Sequence, residues 1–205
     1  MKDVQVKVLI SDVFLDESIY PRENIDHKRI GIFEENLRDG FVFDPIEVQV
    51  WPEKGSAAKK VRYRVLDGVH RWSAYKKTGA THIYVVIKTL NNIEPILYAA
   101  KMAIGPKQLT EAETRNTARR AFQVNSRLTA SEIGRAIGRT RQTVAAYIAD
   151  LRAKALFELD LKIFKLNQLG IPQDRIAKRL GVPQQTISRY LPKMLEFTKW
   201  VNSDL

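Results

Sequence analysis

The chain contains no cysteine, which removes a disulfide framework, a thiolate zinc site and a cysteine nucleophile in one step. Histidine is almost as scarce. His27, His70 and His82 are the three present, and they do not show metal-ligand spacing, so no metal site is expected. Long apolar runs are also missing: Met1 is followed by the mixed-charge stretch KDVQVKVLISD, and the expectation is a cytoplasmic protein with no membrane partner. Acidic residues are in deficit. The 34 Lys+Arg against 23 Asp+Glu leave a formal charge of +11 and a pI near 9.8, a surplus that favours a polyanionic partner over an acidic small molecule.

What is present is enough for a folded protein. At 205 residues and 44% hydrophobic, one or two ordinary domains and a small module can each bury a core. The charge is unevenly placed. Residues 1–90 carry 15 Lys+Arg against 13 Asp+Glu, and residues 91–205 carry 19 against 10. Eight arginines and no lysine fall between Arg115 and Arg152, with only Glu132 and Asp150 opposing them. Arginine suits bidentate contact with phosphate and guanine; a solvated helix face would carry the same residues.

The first 90 residues mix strand and helix patterns. VQVKVLI from Val4 to Ile10 alternates as a strand does. Asp26 is placed to cap a helix through Arg38, ended by Asp39-Gly40. Strands at Ile46 to Val50 and Val61 to Leu66 flank the turn WPEKGSAAKK and form a hairpin in this reading. Asp67-Gly68 opens a helix from Val69 to Lys77, and His82 to Lys88 is a further strand. After Asn91-Asn92 the periodicity becomes helical throughout, with breaks expected at Gly105-Pro106, Gly138, Gly170 to Pro172, Gly181 to Pro183 and Pro192.

Within that helical half the sequence repeats itself. Ala130-Ser131-Glu132-Ile133-Gly134 lies over Gln173-Asp174-Arg175-Ile176-Ala177 at a spacing of 43, and Ile137, Gly138, Thr143, Val144, Tyr147 and Ile148 fall on Leu180, Gly181, Thr186, Ile187, Tyr190 and Leu191. In each copy the isoleucine and the apolar residue four positions later face inward from a first helix. Glycine suits the left-handed turn, and a second helix returns its valine or isoleucine and tyrosine to the same core. That is the pattern of a helix-turn-helix. The residues left facing outward are the expected DNA contacts: Arg139, Thr140, Arg141, Gln142 and Thr143 in the first copy, and Gln184, Gln185, Thr186, Ser188 and Arg189 in the second.

The other site-like string is VLDGVHRWSAYKKTGATHIYVVI, from Val65 to Ile87. A strand running into Asp67-Gly68 and then a helix presents free backbone N–H groups near Gly68 to His70, which is an anion site by construction. A structural role suits the same residues, with Asp67 capping, Gly68 permitting the turn and Arg71 paired with a carboxylate. The expectation taken forward is that Arg71 contacts the anion.

This string resembles the ParB and sulfiredoxin superfamily, whose strand, D-G-x-H-R or G-x-x-R turn and helix build a nucleotide or phosphate pocket. YPRENID at Tyr20 to Asp26 is similar to the family's N-P-x-R stretch, and IFEENLRDGFVFDPIEV at Ile32 to Val48 to its helix and following P-I strand. With helix-turn-helix segments downstream, the layout resembles partition proteins and ParB-domain transcription regulators. The resemblance implies a pocket lined by Arg22, Gly68, His70 and Arg71, with CTP or another nucleotide as its ligand. One family string is missing: AAKMAIGPKQLTEAE, Ala99 to Glu113, stands where CTP-binding members carry E-N-x-x-R, so anion binding is expected without hydrolysis. Sulfiredoxin chemistry is excluded, because its cysteine has no counterpart.

The fold class expected is α+β, a small mixed-sheet domain at 1–90 followed by all-helical regions at 91–151 and 152–205, each holding one helix-turn-helix. The function expected is sequence-specific binding of double-stranded DNA in plasmid or chromosome partition or in transcription regulation. Pairing of half-sites favours a homo-oligomer, and the N-terminal domain is a place for a partner protein. No catalytic residue is assigned. The alternative is an enzyme on the same fold, a nucleotide-dependent phosphotransferase or a nuclease.

Overall fold

The computed structural model describes residues 4–51, 61–90, 94–104 and 108–203, and the chain divides into two compact units, residues 1–148 and 149–205. Residues 52–60 of the expected turn, the Asn91-Asn92 junction and the Gly105-Pro106 break lie outside the described residues.

In the first unit the alternating runs form β1 (Val4–Leu9), β2 (Val13–Phe14), β3 (Ile46–Trp51), β4 (Arg62–Asp67) and β5 (His82–Ile87). They make one mixed sheet in the order β1-β5-β3-β4-β2. The expected pairing of β3 with β4 is antiparallel, and β5 inserts between β1 and β3, antiparallel to the first and parallel to the second. Alternation decides which side chains go in. Ile46 and Val48 of β3 are fully buried and meet Val65, Ile83 and Val85 from neighbouring strands.

Two helices follow the expected bounds. In α1 (His27–Arg38) the Asp26 carboxylate accepts from the Arg29 N–H at 3.1 Å, and α2 (Val69–Lys77) drives Val69 and Trp72 into the sheet core. Then α3 (Pro95–Met102) packs on β4, and its Tyr98 hydroxyl donates to Glu47 at 2.7 Å. The change from mixed sheet to helical chain thus comes near residue 90, while the compact unit continues through α3 and α4 (Glu111–Val124) to residue 148. The protein is an α+β fold.

Both repeats form two helices across a sharp turn. The first has α5 (Ala130–Ile137), a turn at Gly138 with φ +66°, and α6 (Arg141–Tyr147). Ile133, Ile137, Val144, Tyr147 and Ile148 are buried, as the periodicity requires. The second unit opens with α7 (Ala149–Gln168) and continues with α8 (Gln173–Leu180) and α9 (Gln184–Ser203). Ile163 of α7 joins Ile176, Ala177, Ile187 and Leu191 in one cluster.

Pro192 does not break the chain as expected; it lies inside α9. A proline there removes one backbone hydrogen bond and crowds the preceding turn, at a cost of about 3 kcal/mol. The burial of Ile187 and Leu191 just before it holds the helical turn in place, so packing prevails over local preference.

Gly134 is small because the turn that follows α5 passes close to it. A Cβ built there would stand 2.5 Å from the carbonyl oxygen of Arg139, so the turn backbone occupies the space of the missing methyl. Gly134→Ala is expected to destabilise the first unit by about 1–3 kcal/mol, measurable as a lower Tm, and unchanged melting would contradict the close approach.

Candidate functional site

The segment Tyr20 to Asp26 has no regular secondary structure, so its backbone groups need partners from elsewhere. Helix α4 supplies most of them. Glu113 caps its own helix, accepting from the Thr110 N–H at 2.8 Å, and its second oxygen accepts from the Glu23 N–H at 3.2 Å. The Thr117 hydroxyl donates to the Pro21 carbonyl at 3.5 Å, and Arg120 donates to the Tyr20 carbonyl at 2.8 Å and also to the Glu17 carbonyl. At the far end the Asp26 N–H donates to His70 Nε2 at 3.3 Å. The segment is thereby fixed across the mouth of the β4 to α2 turn.

A cavity of about 390 Å³ lies beneath it, walled by Arg22, Arg29, Gly68, His70 and Arg71 and by the α3 side chains Ala99 and Met102. That volume is within the range of small-molecule sites. Gly68, at φ +92°, precedes α2 and gives it no side-chain cap, so the first N–H groups of that helix turn toward the cavity with the positive end of its dipole. No side chain can replace that glycine. A Cβ would meet Ile46 Cγ2 at 2.6 Å and an Arg71 nitrogen at 3.0 Å.

Arg22, Gly68, His70 and Arg71, expected together, do line one pocket. Three of them are already engaged by protein, Arg22 through a donation to the Ala103 carbonyl at 3.4 Å. Arg71 donates to the carbonyls of Asp44 at 2.8 Å and Pro45 at 3.1 Å, and forms an ion pair with Asp67 at 2.8 Å. Its planar fork thus meets two carbonyls and a carboxylate of the protein itself. His70 holds the start of α1 in the way just described.

Arg29 was not expected. It lines the cavity with its guanidinium 5.4 Å from the Phe33 ring centroid, and it sits in the first turn of α1, where the helix dipole disfavours a cation. That misplaced charge was the legible signal. Tyr20 also lines this cavity; its hydroxyl is buried without a hydrogen-bond partner, and burial raises its pKa.

On the helical repeats, Arg141 and Gln142 of α6 are exposed, and so are Gln184, Gln185, Ser188 and Arg189 of α9. Thr143 and Thr186 are half-buried. Thr140 is spent on capping α6, accepting from the Thr143 N–H at 3.1 Å. Arg139 reaches back to Glu111 at 4.0 Å. Arg119 donates to the Tyr147 carbonyl at 2.8 Å, Arg115 lies 5.2 Å over the Tyr147 ring, and the Tyr147 hydroxyl donates to Glu111. Half of the eight arginines between Arg115 and Arg152, counting Arg120, therefore brace the protein, whereas Arg127, Arg135, Arg141 and Arg152 are exposed.

No family model matches the sequence. It is 27% identical over 194 residues to a nucleoid occlusion protein of Geobacillus thermodenitrificans, covering 86% of this chain and 64% of that protein. The chain spans somewhat less than two thirds of the length of that curated relative. Similar solved structures include the C-terminally truncated chromosome-partitioning protein ParB of Caulobacter crescentus complexed to the centromeric parS site, at TM-score 0.47 and 13% identity over 92% of this chain and 99% of that one. The same ParB complexed with CTP-γ-S gives TM-score 0.42 and 18% identity over 71% of this chain and 77% of that one.

Because Arg71 ties two loop carbonyls to the end of β4, Arg71→Ala is expected to lower the stability of the first unit by about 1–3 kcal/mol. Arg29→Ala, which breaks no such tie, should melt close to the parent. Equal melting of Arg71→Ala and parent would return Arg71 to the role of a free anion ligand.

Proposed function

We propose that this chain binds double-stranded DNA with sequence preference through its two helix-turn-helix motifs, and that the pocket beneath Tyr20 to Asp26 binds a phosphate-bearing ligand, a nucleotide such as CTP among them. The observation that carries the DNA reading is the division of each repeat into an apolar inner face and a polar outer face, with Gln142 and Arg141 outward on one second helix and Gln184, Gln185 and Arg189 outward on the other. Such a second helix enters the major groove with its first turns against the base edges. The excess of positive charge in residues 91–205 supplies phosphate contacts.

The pocket fits a phosphate on two counts. Its α2 N–H groups are uncapped, and Arg22 and Arg29 bring positive charge. A nucleotide bound there would add negative charge beside Tyr20 to Asp26, the segment held by α4, so its occupancy would act on the helix that carries the first motif.

The name of the curated relative places that protein at the nucleoid, and the same setting suits this chain: a cytoplasmic protein on nucleoid or plasmid DNA, acting in partition or transcription control. It would work as a homo-oligomer on paired half-sites, with its sheet domain open to a partner protein. No helix among the described residues is long and apolar enough to cross a membrane.

DNA affinity is expected to fall steeply with salt, with a slope near −0.9 in log K against log salt for each phosphate neutralised; fluorescence anisotropy over a salt series reads it directly. A slope near zero would overturn the DNA reading. Calorimetry with phosphate and with CTP should show binding that Arg29→Ala weakens by roughly tenfold, in keeping with the loss of one charge-assisted hydrogen bond. Turnover of nucleotide or DNA in the same samples would replace the binding-module reading with the phosphotransferase or nuclease one.

A further inference from the structure

Resting on that DNA reading, we infer that the two motifs divide the work unequally: the second is the base reader, with Gln185 paired to an adenine and Arg189 to a guanine, and the first serves chiefly to hold the DNA backbone.

The inference starts from the repeat. At the spacing of 43 that aligns the two cores, Gln173 lies over Ala130, Ser188 over Ala145 and Arg189 over Ala146. The three hydrogen-bonding side chains of the second copy are three methyl groups in the first. α6 is 7 residues long, and after Arg141 and Gln142 its outer face ends in Ala145 and Ala146. On α9 the polar outer face runs on for another turn through Ser188 and Arg189, both exposed.

The arginines around the first motif do not make up the difference. Arg115 and Arg119 are directed to Tyr147, and Arg139 to Glu111. Arg141 remains on α6 itself, at its first position and suited to a phosphate, while the exposed Arg127 and Arg135 lie before and on α5 rather than on the second helix. Thr140 and Thr143 share a hydrogen bond at 2.9 Å, which occupies both hydroxyls.

The second motif is also braced for reading. The Ser188 hydroxyl donates to the Gln173 side-chain carbonyl at 3.0 Å and lies 3.3 Å from the Gln184 carbonyl. That contact joins α8 to α9 through side chains at their outer surface and sets the rotation of α9 about its axis. Gln185 and Arg189 are four residues apart, about 6 Å along the helix, which is close to two base-pair steps. Glutamine matches the N6 and N7 edge of adenine and arginine the O6 and N7 edge of guanine, each bidentately.

The test is sequence selection from random double-stranded DNA with the full chain, comparing the parent with Gln185→Ala, Arg189→Lys and Gln142→Ala, with a salt series on each. All three positions are exposed, and matching melting temperatures confirm intact folding. Arg189→Lys keeps the charge and loses the fork, so preference for one guanine should fall by roughly tenfold while the salt slope stays that of the parent. Gln185→Ala should relax an adenine about two base pairs from that guanine, and Gln142→Ala should leave the consensus intact. If Arg189→Lys and Gln185→Ala select the parental consensus, or if Gln142→Ala erases it, the inference is overturned. Absence of any salt-dependent DNA binding by the parent is a separate outcome, which removes the DNA reading and this inference with it.

Discussion

Glu113 is 9% exposed, and its carboxylate spans two parts of the chain that are ninety residues apart. One oxygen closes the cap of its own helix and the other takes the N–H of Glu23. A carboxylate so far from water is costly unless its lone pairs are met by donors, and the stretch from Tyr20 to Asp26 has donors and acceptors that no ladder satisfies. Each need answers the other. Thr117 and Arg120, one and two turns further along α4, take up the carbonyls of Pro21 and Tyr20, and the result is a pocket wall made from irregular backbone.

The same helix anchors the first motif. Glu111 receives the Tyr147 hydroxyl, and Arg119 holds the carbonyl of the same residue, at the end of α6. Pocket wall and α6 thus depend on side chains of one 14-residue helix, all inside the compact unit of residues 1–148. This is why the unit does not end where the sheet ends. α3 covers β4 and packs on α4 and α5, and separating the helices from the sheet would expose Ile96, Leu97 and Ala100.

Much of this was legible in the sequence, for definite reasons. The repeat fixed both motifs because burial has a period: Ile133 and Ile137, Ile176 and Leu180 each lie four apart. Asp26 and Gly68 announced the two helices of the sheet domain by ordinary capping and turn chemistry. What stayed hidden depended on residues distant in the chain. Arginine counts said nothing of direction: Arg119 and Arg120 turned to backbone carbonyls, Arg139 to Glu111, and the exposed Arg115 lies over the Tyr147 ring. Arg71 resembled an anion ligand in the string LDGVHR, but the Asp44 and Pro45 carbonyls that engage it come from a loop more than twenty residues earlier. Pro192 carried a strong local signal that packing on both Ile187 and Leu191 outweighed.

The proposed DNA contacts lie on the outer faces of α6 and α9. Backbone amide hydrogen exchange, followed by mass spectrometry with and without selected DNA at physiological salt, tests them without altering any residue. Exchange should slow on DNA at the first turns of α6, from Arg141, and of α9, from Gln184, while the strands β1 and β5 exchange as in the free protein. Slowing confined to the sheet domain, with both second helices unaffected, would contradict the account.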